Sequence, residues 1–450
     1  MKICDIVIIG AATSGAFFAQ RMASKGYQVH VIEKQSYEDF GRKMDIFHVA
    51  KKDFDLYGLP EAKPGDDAWA FTFSDNYSCS PYDHYPKWTG DTVIGLHMHE
   101  YIVKMNEWAK EAGATFEYEA FFMDFLWEDD KVAGIRYQTP EGVREISAQV
   151  VVDCSGIPSV ARCKLPENYG IENFPLTPED MFYVTLWYVK WKNKETKTSD
   201  VCRGWPFYKA WIAPQADPEG AILGVGAVDS YEHGEEVFRS LEATFPLPEY
   251  EVTRIERGAT PYCRTPYSLV ADHFLIAGDT ACLTKPNCGE GVTSSMVHME
   301  IAAEVLDEAL RQGEATRDRL WPINIRYNEK QGADFAYTRA LFIKAVTATK
   351  DEFEFFFKHN IVFKDQNPAD VDKHTVTEEG FGETLKMFGN LLGGVITGKF
   401  SIKTLKNLLS GLSLGGKLKD HYLHFPQSPQ GYEEWTKVAD EMWEKIGKMR

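Results

Sequence analysis

Two groups of residues have the types and spacing to hold a dinucleotide. The first is Gly10, Ala12, Ser14, Gly15, Glu33 and Lys34. Glycine at 10 permits a tight turn, and glycine at 15 lets a helix approach a strand, so backbone N–H groups between them can face a pyrophosphate. Ala12 stands where a second glycine is usual, giving GxAxxG with the smallest side chain that adds a Cβ. Glu33 is placed to accept hydrogen bonds from ribose hydroxyls. The second group is Asp279, Pro286, Gly289, Glu290 and Gly291. A carboxylate after a strand end can accept bonds from ribityl hydroxyls, with a turn cap as its ordinary alternative. Gly289 and Gly291 keep side chains away from a planar ring. A helix starting near Gly289 would turn its unpaired N–H groups toward the negative charge of a reduced flavin.

These residues meet only if specific elements carry them. Asp5–Ile9 reads as a buried parallel strand, Ala16 onward as a helix stopping at Lys25-Gly26, and Tyr27–Glu33 as a second strand ending in the acid. Ile146–Val152 is a further strand, running into Asp153-Cys154-Ser155-Gly156. Phe274–Ala277 is a short strand before Gly278-Asp279, and a helix is expected from Val292 to Leu310. Three turns from such strands, brought to one sheet edge, point to FAD as the cofactor.

Between about 165 and 270 the pattern changes to strand-like runs, Phe182–Val189 and Ala221–Gly226 among them, which predicts a mostly antiparallel sheet. Trp205, Tyr208 and Trp211 form an aromatic cluster that could line an apolar pocket above the flavin, or serve as ordinary core. No catalytic side chain is identifiable; these three are pocket candidates only.

The GxAxxG turn with Glu33, the Asp-Cys-Ser-Gly segment, and Gly278-Asp279 followed by Pro286 and Gly289-Glu290-Gly291 resemble the geranylgeranyl reductase family. Its YxWxFP segment and following GxG are matched by Trp211, Pro214, Gly224 and Gly226, while Lys209 and Ala213 depart. Some members carry a cysteine after the second strand; here Gly41-Arg42-Lys43-Met44-Asp45 stands instead. The arginine common at the start of the helix ending Ala109–Gly113 is also missing, with His97 or His99 ahead of it, so Arg42 is the alternative partner for the pyrophosphate.

The resemblance implies an α/β plus α+β architecture of the p-hydroxybenzoate hydroxylase type. A Rossmann-like FAD-binding domain would span 1–165 and 265–330, with part of 40–100 joining the substrate side. An antiparallel-sheet substrate domain would span 166–264 and a helical region 331–450. It further implies an FAD-dependent oxidoreductase that saturates C=C bonds of an apolar isoprenoid or lipid by hydride transfer from flavin N5. A flavin-dependent monooxygenase or halogenase is the alternative, and a non-catalytic lipid-binding protein the second. Only one complete dinucleotide fingerprint is present, so the electron donor, NAD(P)H or a ferredoxin protein, stays open.

A net charge of −18 and a pI near 5.2 exclude nucleic acid, which needs a basic surface. Eight cysteines without a CxxC pair signal neither a disulfide scaffold nor zinc, and His97-Met98-His99 lacks a third ligand, so no metal is expected. Reduced thiols and the lack of a cationic leader suggest a cytoplasmic protein. From Lys386 to Lys419 there are six lysines and no acid. Apolar residues there recur three or four apart, predicting two amphipathic helices separated near Gly398. This stripe, 386–419, reads either as a lid or as a peripheral contact with the inner face of a membrane. Phe353, Phe355, Phe356 and Phe357 suggest the lining of an apolar channel.

Overall fold

The computed structural model describes residues 2–196, 198, 201–345, 348–361, 363, 365 and 381–447, without the side chains of 2, 345 and 381–388. Strand Lys2–Ile9, helix Thr13–Ser24 and strand Val29–Ile32 form the first unit. Ile6, Val7 and Ile8 are wholly buried, as a parallel strand covered on both faces requires. Lys2–Ile9 pairs in parallel with Val29–Ile32 on one side and with Gly142–Asp153 on the other, and Gly142–Asp153 pairs in parallel with Phe274–Ile276. The register sets Ile9 beside Ile32 and Asp153, and Asp153 beside Ile276. Four strands therefore end level, and the turns that follow them leave one edge together. Helix Thr13–Ser24 packs against helices Met98–Glu111 and Val292–Arg311 and buries Phe17, Phe18 and Met22.

A second sheet runs in the order Tyr250–Pro261, Met181–Trp191, Gly220–Ala227, Ala210–Ala213, Val201–Trp205, Asp75–Ser78, Lys87–Trp88. It is antiparallel except where Val201–Trp205 meets Asp75–Ser78. Side-chain alternation gives it two faces. Ala221, Leu223 and Val225 pack with Phe238 and Leu241 of helix Tyr231–Thr244. Ile222 turns the other way, toward Phe71, Phe73 and Ile46 of a small sheet formed by Ile46–Ala50, Val93–His97 and Trp69–Phe73.

The rest is helical. Ile402–Leu423 lies close along Ala333–Ala345: a Cβ on Gly411 would sit 3.0 Å from Lys344 Cβ, and one on Gly415 3.1 Å from the Tyr337 ring. Helix Phe381–Ile396 ends before Gly398, whose φ of +68° favours glycine, and the next helix starts at Ile402. The break falls where the sequence predicted it, although Lys386 and Phe388 have side chains outside the described residues. The phenylalanines of helix Lys350–Lys358 do not line a channel as expected. Phe356 is buried with Ile361, Leu391, Phe400 and Leu408, so the dense aromatics close a small separate core. Phe353 meets Phe207 at 5.4 Å, which leans this lobe on the second sheet. Among the described residues, no helix is long and apolar enough to cross a membrane.

Candidate active site

At the sheet edge the first turn is packed too tightly for side chains. A Cβ on Gly15 would lie 1.9 Å from the Gly10 carbonyl oxygen, and one on Gly10, at φ +104°, 2.3 Å from that of Cys154. Ala12 precedes the helix in extended conformation with its methyl exposed. Glu33 is buried; its Oε2 accepts from Ala11 N at 3.0 Å and its Oε1 from Gln35 N at 2.9 Å. Each oxygen keeps a second lone pair for a ribose hydroxyl. Asp153 holds the neighbouring turn, accepting from the N–H groups of Ser155, Ala161 and Arg162. Thr280 Oγ1 donates to Gly156 O at 3.0 Å, and a Cβ on Gly278 would come 2.7 Å from Ser14 Oγ. The three segments thus converge.

Asp279 lies in the short 3-10 turn Gly278–Ala281; its backbone carbonyl accepts from Cys282 N, while its carboxylate accepts no hydrogen bond among the described residues. Burial pushes its carboxyl up to about 6. A Cβ on Gly291 would sit 3.5 Å from its Oδ1, so the two are neighbours. Glu290 behaves otherwise. The helix begins at Val292, as expected, and Glu290 folds back on it, accepting from Thr293 N at 2.6 Å and Thr293 Oγ1 at 2.7 Å and pairing with Lys285 Nζ at 2.7 Å. Burial alone would raise its carboxyl, yet the Lys285 ammonium and the Thr293 donors hold it below the usual range. Pro286 is buried, its carbonyl taken by Tyr262 OH at 2.8 Å. Lys34 points to solvent. Arg42 is drawn away to Glu100 Oε1 at 3.6 Å and the Glu38 carbonyl.

The second sheet turns a flattened face toward this loop. Trp211 lies on Gly224, Phe182 on Gly226 and Met44 on Gly258, each so close that a Cβ would come within 2.1 Å of the covering side chain. Phe182 also reaches Gly289, where a Cβ would be 4.0 Å away. Trp205 and Tyr208 are not part of this wall. They are buried on the opposite face with Phe238 and Leu241, so the aromatic cluster expected around one pocket is divided by the sheet.

The turn cluster fits FAD: a tight turn at Gly10–Gly15 with no room for a Cβ on either glycine, an anchored acid at 33 and a carboxylate at 279 that lacks a protein donor among the described residues. The FAD binding domain family matches residues 3–239, which is more than half of the chain. The chain belongs to the FAD binding domain family. A digeranylgeranylglycerophospholipid reductase from Sulfolobus acidocaldarius is 21% identical over 457 aligned residues, 99% of this chain and 98% of that protein. Reductase 2 of that name from Methanopyrus kandleri is 23% identical over 348, covering 74% and 84%. A geranylgeranyl bacteriochlorophyll reductase-like protein from Thermoplasma acidophilum shares the fold at TM-score 0.71 and 14% identity, over 88% of this chain and 98% of its own. The flavin-dependent brominase Bmp2 shares it at TM-score 0.59 and 16% identity, over 99% and 100%. The protein is an FAD-dependent oxidoreductase of the p-hydroxybenzoate hydroxylase-like fold, distantly related to geranylgeranyl lipid reductases.

Two groups in this FAD-binding protein escaped the sequence reading. His48 stands between Phe71 and Phe73, ring centroids 5.7 and 5.5 Å away, with Nε2 unpartnered; burial lowers it to about 4, so it is neutral. Its spacing of two from Ile46, on an alternating strand, was the available signal. Asp45 joins His97 Nδ1 at 2.9 Å to Arg254 at 2.8 Å, and its N–H donates to Glu256, which also receives Tyr188 OH at 3.0 Å. His99 bonds to Phe40 O instead, so the two histidines serve separate partners. Residues 45, 97 and 254 are too far apart in sequence for any spacing rule to join them.

Proposed function

We propose that this oxidoreductase is a reductase that saturates carbon–carbon double bonds of an apolar, isoprenoid-like lipid. One observation carries the reading: the sheet face opposite the turn cluster presents Trp211, Phe182 and Met44 flat on glycines, with an uncharged His48 between two phenyl rings. Such a wall suits a long apolar chain and gives a polar aromatic substrate little to bond. The names of the archaeal relatives support the same substrate class.

Bound FAD would supply the hydride once reduced, by hydride from NAD(P)H or by two single electrons from a ferredoxin with a proton from solvent. The chain's part is to hold and exclude. Glu33 and the Gly10–Gly15 turn would take the ADP half, Asp279 the ribityl hydroxyls, and the Trp211 wall would lay the alkene against the ring and keep water out. The helix hairpin supports access to lipid. Leu392, Ile396 and Ile402 are exposed at its tip, Ile396 by 85%, beside exposed Lys399, Lys403 and Lys406. That composition suits peripheral contact with an anionic membrane surface.

The decisive test is to reduce the FAD-loaded protein anaerobically and add a geranylgeranyl lipid. The expected result is loss of reduced flavin matched by product heavier by two hydrogens per bond. No reaction with the alkene, together with an oxygenated or halogenated product in air, would instead make the protein a monooxygenase or halogenase. Lipid binding without FAD and without turnover would make it a carrier.

A further inference from the structure

A partly open cavity of about 30 Å³ is lined by residues between 263 and 269, between 282 and 286, and on the helices that carry 324–339. Pro286 borders it, but Gly10–Gly15, Glu33, Asp279 and 289–291 do not, and neither do Trp211, Phe182 and Met44. The cavity is therefore separate from the dinucleotide turns and from the apolar wall. Its lining holds two arginines, Arg264 and Arg339, and no aspartate or glutamate. Arg264 is neutralised, because Glu172 accepts from its Nη1 at 2.8 Å and its Nη2 at 2.6 Å. Arg339, on helix Ala333–Ala345, is not: it is 4% exposed and meets no carboxylate within ion-pair distance among the described residues. It donates to Tyr262 O and sits 4.9 Å over the Tyr262 ring, while its buried Nε has no acceptor. A guanidinium cannot shed its proton inside a protein, so its burial without a counter-charge is strongly unfavourable.

We propose that this cavity binds one small inorganic anion of the chloride class, which supplies the counter-charge of Arg339. The uncompensated cation, the open N–H donor and the space coincide, since Arg339 itself lines the cavity. Thr284 and Asn328 add a hydroxyl and an amide to the same lining. One water needs about 10–15 Å³, so a cavity of about 30 Å³ takes an ion of chloride size with at most a water beside it. A phosphate ester does not fit that space. The opening lets the ion exchange with solvent. Its position gives it a structural consequence. Tyr262, whose carbonyl Arg339 holds, donates its hydroxyl to Pro286 O at 2.8 Å, and its ring meets that of Phe182 at 5.3 Å. A bound anion would thus fasten helix Ala333–Ala345 to the loop after Asp279 and to the edge of the apolar wall.

The test uses the full FAD-loaded chain with sodium bromide and sodium chloride as probes. Crystals grown in bromide are expected to show an anomalous bromide peak inside the cavity, beside the Arg339 guanidinium. In solution the melting temperature should rise with chloride to a plateau, and not with gluconate at equal ionic strength, because an ion held only by the folded chain stabilises it by mass action. R339Q should lose that rise. R311Q, which removes an exposed arginine paired within its own helix, should keep it. The wild-type diffraction measurement stands even if R339Q misfolds. Bromide peaks confined to the protein surface, an adventitious ion only, would overturn the proposal and leave water in the cavity. Melting temperatures that are the same in chloride and gluconate, or that climb without a plateau, would overturn it as well.

Discussion

Asp279 concentrates the chemistry of the turn cluster in a single carboxylate. Its acidity is set by burial alone, about 6, and it has no protein donor among the described residues. Ribityl hydroxyls would supply the missing donors, and they bond more strongly to the carboxylate than to the acid. FAD affinity should therefore fall as the pH drops below about 6, and Asp279→Ala should weaken binding by about 1.5–3 kcal/mol and abolish that dependence. Fluorescence titration of FAD into the apoprotein measures both; an unchanged affinity in the variant would remove Asp279 from the site. The Asp45–His97 pair gives a different signature. Burial alone would raise Asp45, but His97 and Arg254 hold it below the usual range, and the bond to Asp45 raises His97 against its own burial. The pair contributes fully between about pH 4 and 6.5. The contribution is lost on the acid side as pH falls through the lowered Asp45 value. It is lost on the basic side as pH rises through the raised His97 value. Urea unfolding of His97→Phe across this range should show the basic decline flattened relative to wild type.

Individual elements are held by a few contacts that join distant segments. Glu352, in helix Lys350–Lys358, accepts from Thr349 N at 2.8 Å in its own cap, and from Ser401 N at 2.8 Å and Thr404 Oγ1 at 3.0 Å at the start of helix Ile402–Leu423. Removing it leaves three donors unpaired in a buried corner, so Glu352→Ala should cost about 3 kcal/mol by urea unfolding. A loss under about 0.5 kcal/mol would mean water replaces the carboxylate. The glycine-faced sheet makes another prediction. Any side chain at Gly224 displaces Trp211, so Gly224→Leu should keep FAD binding while reduced-flavin oxidation by a geranylgeranyl lipid slows. Equal loss of FAD affinity would show that Trp211 supports the fold and not the substrate wall. The split of Trp211 from Trp205 and Tyr208 follows from pairing: Trp211 is opposite Gly224, and Trp205 opposite Ala210 across a tight turn. Proximity in sequence put the three together; the hairpin assigned them to opposite faces.

For the whole molecule, charge distribution matters more than total charge. An acidic protein of net charge −18 is repelled by an anionic bilayer except where its lysines gather. The hairpin tip with Lys399, Lys403 and Lys406 should therefore set both binding and orientation. Sedimentation with vesicles containing phosphatidylserine is expected, but not with phosphatidylcholine alone, and it should weaken sharply near 1 M salt, where screening acts within about 3 Å. Changing the three lysines to glutamate should remove it while FAD binding persists; membrane binding that survives would leave the hairpin as a lid.

From the sequence alone came the parts whose physics is local. A β-branched run must be a buried strand, glycine must occupy a turn that has no room for Cβ, and an acid after the next strand must return to that turn, so the cofactor class and the dinucleotide unit were readable. The alternating sheet and the helix break at Gly398 followed for the same reason. The rest depended on which distant segments face each other. Glu290 was claimed by its own helix and Lys285, Arg42 by Glu100, and Tyr208 by the far side of a sheet. His48 came to the apolar wall because strand pairing and close packing, absent from any local window, decide which side chains share a space.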